Sequence, residues 1–327
     1  MAPSDCDQNL AIDQLLRRLD KLHSSPAVAL RILEIMRDPE FDSAEVTACL
    51  ERDPSLTAAV LRLVNSSYYS LPNKVTEIQR AIAYLGHRSL RLTVLGFGLT
   101  KALAHGCPKA IHQLYWRRSL TLAVAARKLA LRKADPAVSP DAAFAAGLLA
   151  DLGMLVLAQL ETEKYLPVCE ADDHIVTQLV MEREIFGFTH VEVGTRLMQG
   201  WALPVELIEA VSHHHKSPVD AQPLSHVLKA ANLLAEVLWT ADSPHMRLLL
   251  PLLKTRFDLG VDDLIALATE CKRSVEESVT IFQVRLDDEI DVEALQREAH
   301  SLYEAAVFEL SADMDSLEDA AQAVIPA

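Results

Sequence analysis

"AAFAAGLLADLGMLVLAQL", residues 142–160, is the most apolar stretch of this 327-residue chain, and one acid, Asp151, stands in its middle. The stretch is long enough to tempt assignment to a membrane. A central Asp and two glycines read instead as a helix buried in a globular core. On that helix Asp151 shares a face with Gly147, Leu148, Met154 and Leu155, so it is expected to point inward. A carboxylate taken out of water is costly unless something meets it, so the fold has to supply a partner.

The rest of the chain agrees with a helical core. Ala, Leu, Glu and Arg abound, aromatics make up 5% of residues, and no period-two pattern of useful length competes. Helix starts are written out: Ser25-Pro26, Asp53-Pro54 and Ser139-Pro140 each offer a cap followed by Pro at the first helical position. Thr76 with Gln79, and Thr189 with Glu192, read as capping boxes, and Gly86 reads as a stop. The pattern predicts helices over about 87–104, 109–133, 140–160, 174–186, 189–201, 204–216 and 223–240, two more beyond 244, and a solvent-washed acidic helix over 287–312. The fold class is all-α. In the loop after the Asp53 helix, Asn65 and Ser66 are expected to satisfy backbone groups, with Tyr68 and Tyr69 flanking a groove.

Charge is unevenly distributed. The formal net charge of −15 argues against a nucleic-acid partner. From Asp287 to the end there are twelve acids and one base, Arg297, hence −11, whereas 78–134 holds eleven bases and no acid. Two readings follow: the tail folds back on the basic segment and masks a partner site, or, as the default, it is a solubilising face that touches nothing in particular. The five cysteines are scattered without a C-x-x-C pair, and "MAPSDCDQNL" shows no leader features, so reduced thiols and a cytoplasmic location are expected.

Asp151 is not the single inward polar group. His190 lies above Gly194 and Leu197 on the inner face of its helix. The stripe Leu207, Ile208 and Val211 continues onto His214 and His215, with His213 turned away. One Asp and two or three His on inner faces of separate helices suit a first-row metal, although each alone is more often a satisfied core residue.

Taken with these residues, two longer segments carry a family resemblance. "DPSLTAAVLRLVNSS" followed by "AIAYLG", and "AFAAGLLADLG" followed by "THVEVGTRLMQGW" and "SHHH", resemble the HDOD family, the HD-related output branch of the HD phosphohydrolases, over about residues 15–240. The resemblance implies an N-terminal helical subdomain (8–107) packed on a degenerate HD-type bundle (108–243), with a C-terminal helical extension and acidic tail (244–312) outside it.

Carried over by position, the metal-binding His of catalytic relatives falls at Arg118, the His of the His-Asp pair at Ala150, and the closing Asp at Asn232. Asp151, His190, His214 and His215 are retained. The expectation drawn from these losses is a non-catalytic pseudoenzyme: a bacterial regulatory module with no cofactor and no metal, docking signalling proteins. Its vestigial pocket would consist of Arg118, Asp151, His190, His214, His215 and Asn232. Arg118 is expected to stand in for the lost cation by pairing with Asp151, against the alternative that Arg118 extends to solvent and His190 or His214 neutralises the acid. The second reading is a metal-dependent phosphohydrolase or phosphodiesterase with a reduced site of Asp151, His190, His214 and His215. The third is a sensor of a phosphate ligand such as a cyclic dinucleotide, with Arg88, Arg91 and Arg117 as candidate anion-binding residues.

Overall fold

The computed structural model describes residues 5–22, 27–36, 41–66, 69, 71–104, 106–171, 175–201, 203–216 and 222–305, and among them every regular element is a helix. In chain order these are α1 (Asp5–Leu22), α2 (Ala27–Ile35), α3 (Ser43–Glu51), α4 (Pro54–Val64), α5 (Ile78–Ala104), α6 (Lys109–Lys133), α7 (Pro140–Leu149) and α8 (Leu152–Leu160). They continue with α9 (Thr162–Ala171), α10 (Ile175–Phe186), α11 (His190–Gly200), α12 (Val205–His213), α13 (Pro223–Trp239), α14 (Met246–Leu252) and α15 (Val261–Phe282). A π-turn over Leu253–Phe257 extends α14, and a last helical run covers 292–305. The all-α reading is correct.

Several ends follow the local chemistry. Asp53 accepts from the backbone N–H of Ser55 and Leu56 at 3.0 Å each, and Thr189 with Glu192 forms its capping box. Gly86, at φ 70°, marks a break inside α5 where the sequence reads a stop. Asn65 clips its loop shut, donating to the carbonyls of Leu61 and Val75 and accepting from Val75 N–H, each at 2.7 Å. The Ser25-Pro26 start and Tyr68 lie outside the described residues.

Three expectations need correction. The 140–160 stretch is two helices, broken at Ala150-Asp151, where Asp151 has φ −96° and ψ 16°. α1, α3 and α9 add to the helices named from the sequence, and α9 carries Pro167 inside it. The tail is not washed by solvent all round: Ile290, Leu295 and Ala299 are buried in the common core, and 306–312 lies outside the described residues.

α6 is the hub. It packs against α7, α13, α15 and α9, and Leu120, Leu122, Ala123, Val124, Ala125 and Ala126 are buried along it. The two glycines beside Asp151 allow its neighbours to come close. A Cβ on Gly147 would lie 2.6 Å from the Ala123 backbone on α6. One on Gly153 would lie 1.9 Å from the His190 carbonyl oxygen on α11. The Asp151 turn is thereby held where α6, α8 and α11 meet.

Candidate metal centre

Breaking the helix at Asp151 turns its carboxylate into the space enclosed by α6, α11, α12 and α13. The residue is fully buried, and each oxygen has its own company. Oδ2 accepts from Arg118 Nε at 3.0 Å. Oδ1 lies 3.3 Å from His190 Nε2, 3.3 Å from His214 Nε2 and 4.0 Å from His215 Nε2. The Arg118–Asp151 pair forms, and the alternative of a solvent-directed Arg118 does not: the arginine takes one oxygen while the imidazoles gather round the other.

The three rings are oriented from behind. His190 Nδ1 meets both oxygens of Glu182 at 2.9 and 2.8 Å, and Glu182 also accepts the His190 backbone N–H at 2.8 Å. Tyr165 donates its hydroxyl to the same carboxylate at 2.8 Å. His214 Nδ1 donates to the Val211 carbonyl at 2.6 Å. The Asn232 amide lies 3.2 Å from His215 Nδ1, and Lys229 donates to the His215 carbonyl at 3.0 Å. For His190 and His214 the Nδ1 bond goes to an acceptor, which keeps the ring proton on Nδ1 and aims Nε2 inward, the arrangement that prepares an imidazole to ligate a metal. Asn232 fixes the orientation of the His215 ring.

Electrostatics follow from that packing. Burial works against ionising Asp151, but the Arg118 charge and the facing His190 and His214 rings outweigh it and hold the carboxyl well below its usual range. Burial likewise opposes protonation of His190, yet Glu182 and Asp151 raise it to about 9. His215 moves the other way, well below the ordinary imidazole value, through burial and the adjacent His214 and His190.

Whether a metal fits can be judged from the donors. One ligand atom each from Asp151, His190, His214 and His215 falls within 4.8 Å of the other three. His215 Nε2 is buried without a hydrogen-bond partner, and His190 Nε2 has only the Asp151 carboxylate, at 3.3 Å. An orphaned imidazole nitrogen beside an ionised carboxylate and two further inward-facing rings is costly in a metal-free core and suits a first-row divalent ion.

This overturns the expectation of a degenerate, non-catalytic pocket. The losses at Arg118, Ala150 and Asn232 are real in the sequence, but the four remaining donors converge. A single metal needs three or four ligands, not the full set of a two-metal enzyme. Ala150 is packed into the core, and Asn232 supports His215 instead of facing the centre as a carboxylate would.

Two openings reach the cluster. A groove of about 680 Å³ between α10, α11 and α12 has His215 in its wall, together with Val176, Val180, Thr195 and Lys216. A narrow crevice of about 30 Å³ between α6 and α13 is lined by Arg117, Arg118, Asp151, Asn232, Glu236 and Trp239. Of the candidate anion-binding residues, Arg117 lies at this crevice, its guanidinium 5.6 Å from the Trp239 ring centre and 3.5 Å from Asp288. Arg88 and Arg91 sit on α5, with side chains outside the described residues.

Sequence reading missed Glu182, Tyr165 and Glu236. A signal for Glu182 existed: α10 is inverted, with Val176, Val180 and Ile185 exposed while Gln178 and Glu182, one turn apart, are buried. A helix that turns its polar stripe inward has something polar to meet.

A family profile for the HDOD domain matches residues 22–217, well over half of the chain. The chain belongs to the HDOD family. The chain is similar to an uncharacterized protein of Treponema pallidum (strain Nichols), 24% identical over 220 residues, which are 66% of this chain and 42% of that protein. The chain therefore spans less than half the length of that relative. Two solved structures share the fold. An HDOD domain protein from Geobacter sulfurreducens is 23% identical, with 86% of this chain and 100% of that one covered at a TM-score of 0.63. A candidate metal-dependent phosphohydrolase from Shewanella amazonensis SB2B is 19% identical, with 83% and 99% covered at a TM-score of 0.61.

Proposed function

We propose that this HDOD protein is a metal-dependent phosphohydrolase working from a reduced, single-metal site made of Asp151, His190, His214 and His215. The observation that carries this reading is the convergence of those four donors within 4.8 Å, with the buried Nε2 of His215 unpartnered. The description of the Shewanella protein points the same way for that protein. A divalent ion held there would supply Lewis-acid activation of water and neutralise charge at a phosphoryl group.

The chain's own residues supply the rest. Glu182, Val211 and Asn232 fix the rings. Arg118 keeps Asp151 ionised and turned towards them. The groove at His215 offers an apolar wall, Val176 and Val180, for the organic part of a substrate, and the Lys216 cation for its phosphate. We read the substrate as a phosphoester, with cyclic dinucleotides the first class to try, and place the activity in the cytoplasm in a signalling setting. All four donors fall in the 108–243 segment, which we take as the catalytic unit of the three-part division. Pro140–Leu160 is apolar and long enough for a membrane span, but it is broken at Asp151 and 94% buried.

Incubation of tag-free protein with Mn2+, Fe2+ or Zn2+, followed by metal analysis and assay on bis-p-nitrophenyl phosphate, tests the reading. One metal per chain is expected, with hydrolysis supported by Mn2+ or Fe2+. With four protein donors already supplied, Zn2+ should bind and support less turnover than Mn2+ or Fe2+. Asp151→Asn and His214→Gln should lose metal and hydrolysis together. Absence of stoichiometric metal under all three conditions sinks the proposal.

A further inference from the structure

A second carboxylate lines the crevice beside the metal centre. Glu236 lies on α13 one turn beyond Asn232 and faces the same narrow space as Asp151 and Arg118. Its Oε2 meets His245 Nδ1, which lies 3.3 Å from Ser243 Oγ, so the side chain is braced from the α14 side. Its Oε1 is buried and has no hydrogen-bond partner. Arg118 is engaged through Nε by Asp151, and its side chain keeps 10% exposure to the crevice. Burial opposes its charge, while first Asp151 and then Glu236 sustain it.

An ion bound at the cluster would draw on Asp151 Oδ1 while Arg118 holds Oδ2, so two cations would share one carboxylate. In a buried site that sharing is repulsive unless a further negative charge stands by. Asn232 cannot provide it, being neutral and turned to His215. Asp287 and Asp288 face Lys109 and Arg117 at the surface. Glu236 is the acid that remains beside Arg118 among the described residues lining the crevice.

We propose that Glu236 is a positioning residue for the metal centre, its free Oε1 balancing the Arg118 guanidinium so that Asp151 serves the arginine and a divalent cation together. This rests on the metal-centre reading above. It assigns Glu236 no contact with the ion: its action passes through Arg118.

The test is the Mn2+ affinity of the chelator-stripped 327-residue protein, measured by calorimetry or by electron paramagnetic resonance of free Mn2+. Glu236→Gln is expected to weaken binding about 10–100-fold, the usual effect of removing a group that supports a ligand, with one ion per chain at saturation. Glu236→Asp, which keeps the charge, should recover most of the affinity. In an Arg118→Met background the Glu236→Gln step should change affinity less than about 3-fold, because the charge it balances is gone. Glu236→Gln protein that binds Mn2+ as tightly as wild type, or equal weakening in both backgrounds, overturns the proposal while leaving the centre standing. Wild-type protein that binds no Mn2+ overturns the centre and this assignment with it.

Discussion

His190 shows most clearly how single residues set the chemistry of the pocket. In the metal-free protein its raised proton affinity, about 9, makes it an imidazolium at neutral pH, held between Glu182 and Asp151. An ion needs the neutral ring, so binding must expel that proton. Calorimetric titrations near pH 7.5 in buffers of differing ionisation enthalpy should report release of roughly one proton per ion, and distinctly less in Glu182→Gln. The same shift is a stability term. A group whose folded value lies above its unfolded value of about 6.5 stabilises fully below that pH and loses the contribution as pH rises through about 9. For a fully buried ring the amount is on the order of 3 kcal/mol. His215 acts in the opposite sense: its lowered value disfavours the fold below about 6.5, where the unfolded ring takes a proton. Stripped protein should therefore melt at falling temperature from about pH 6.5 to 9.5, and metal-loaded protein should show a flatter profile. A flat profile for the stripped protein would remove the buried imidazolium.

At the scale of elements, the decisive contact is the crossing of α8 on α11. Gly153 sits against the His190 carbonyl, and Gly194 faces it, where a Cβ would lie 3.2 Å from Gly153 N. Gly153→Ala cannot be absorbed by a side-chain rotation, because the obstacle is backbone. α11 must move, carrying the His190 ring away from Asp151. We expect the substitution to destabilise the protein by about 2–3 kcal/mol and to weaken Mn2+ binding. Gly200→Ala, with nothing near its Cβ position, is the control and should do neither. Gly153→Ala protein with wild-type melting and Mn2+ affinity would show that the crossing is looser than its geometry.

For the whole molecule, the question is what the acidic C-terminal extension does. Its first residues do meet the basic segment: Asp287 lies 3.7 Å from Lys109 and accepts from Gln113 at 2.5 Å, and Asp288 lies 3.5 Å from Arg117. These contacts are exposed, so Asp287→Asn and Asp288→Asn should each alter stability by less than about 0.5 kcal/mol. The attachment is apolar instead. Leu295 and Ala299 are fully buried, and Leu295→Ala should cost about 2–4 kcal/mol in denaturant unfolding. A larger effect from the surface acids than from Leu295 would mean that charge, not burial, holds the extension in place.

The sequence by itself determined the helical class, most helix limits and the inward facing of Asp151, His190 and His214. These follow from caps, from periodicity and from the cost of wasting an apolar face, all local. It also carried the family, through segments that recur in order. It could not show that four donors left after three substitutions still close on one point. Convergence depends on the break at Ala150-Asp151, on two glycines that let backbones touch, and on the angles at which α6, α11, α12 and α13 cross. Glu182 and Glu236 stayed hidden for the same reason. A Glu on a helix normally reaches water, and only the packing of α10 and α13 against the pocket turns these two inward. Distances between helices far apart in the chain are set by side-chain volume at every crossing, a global property that no local pattern encodes.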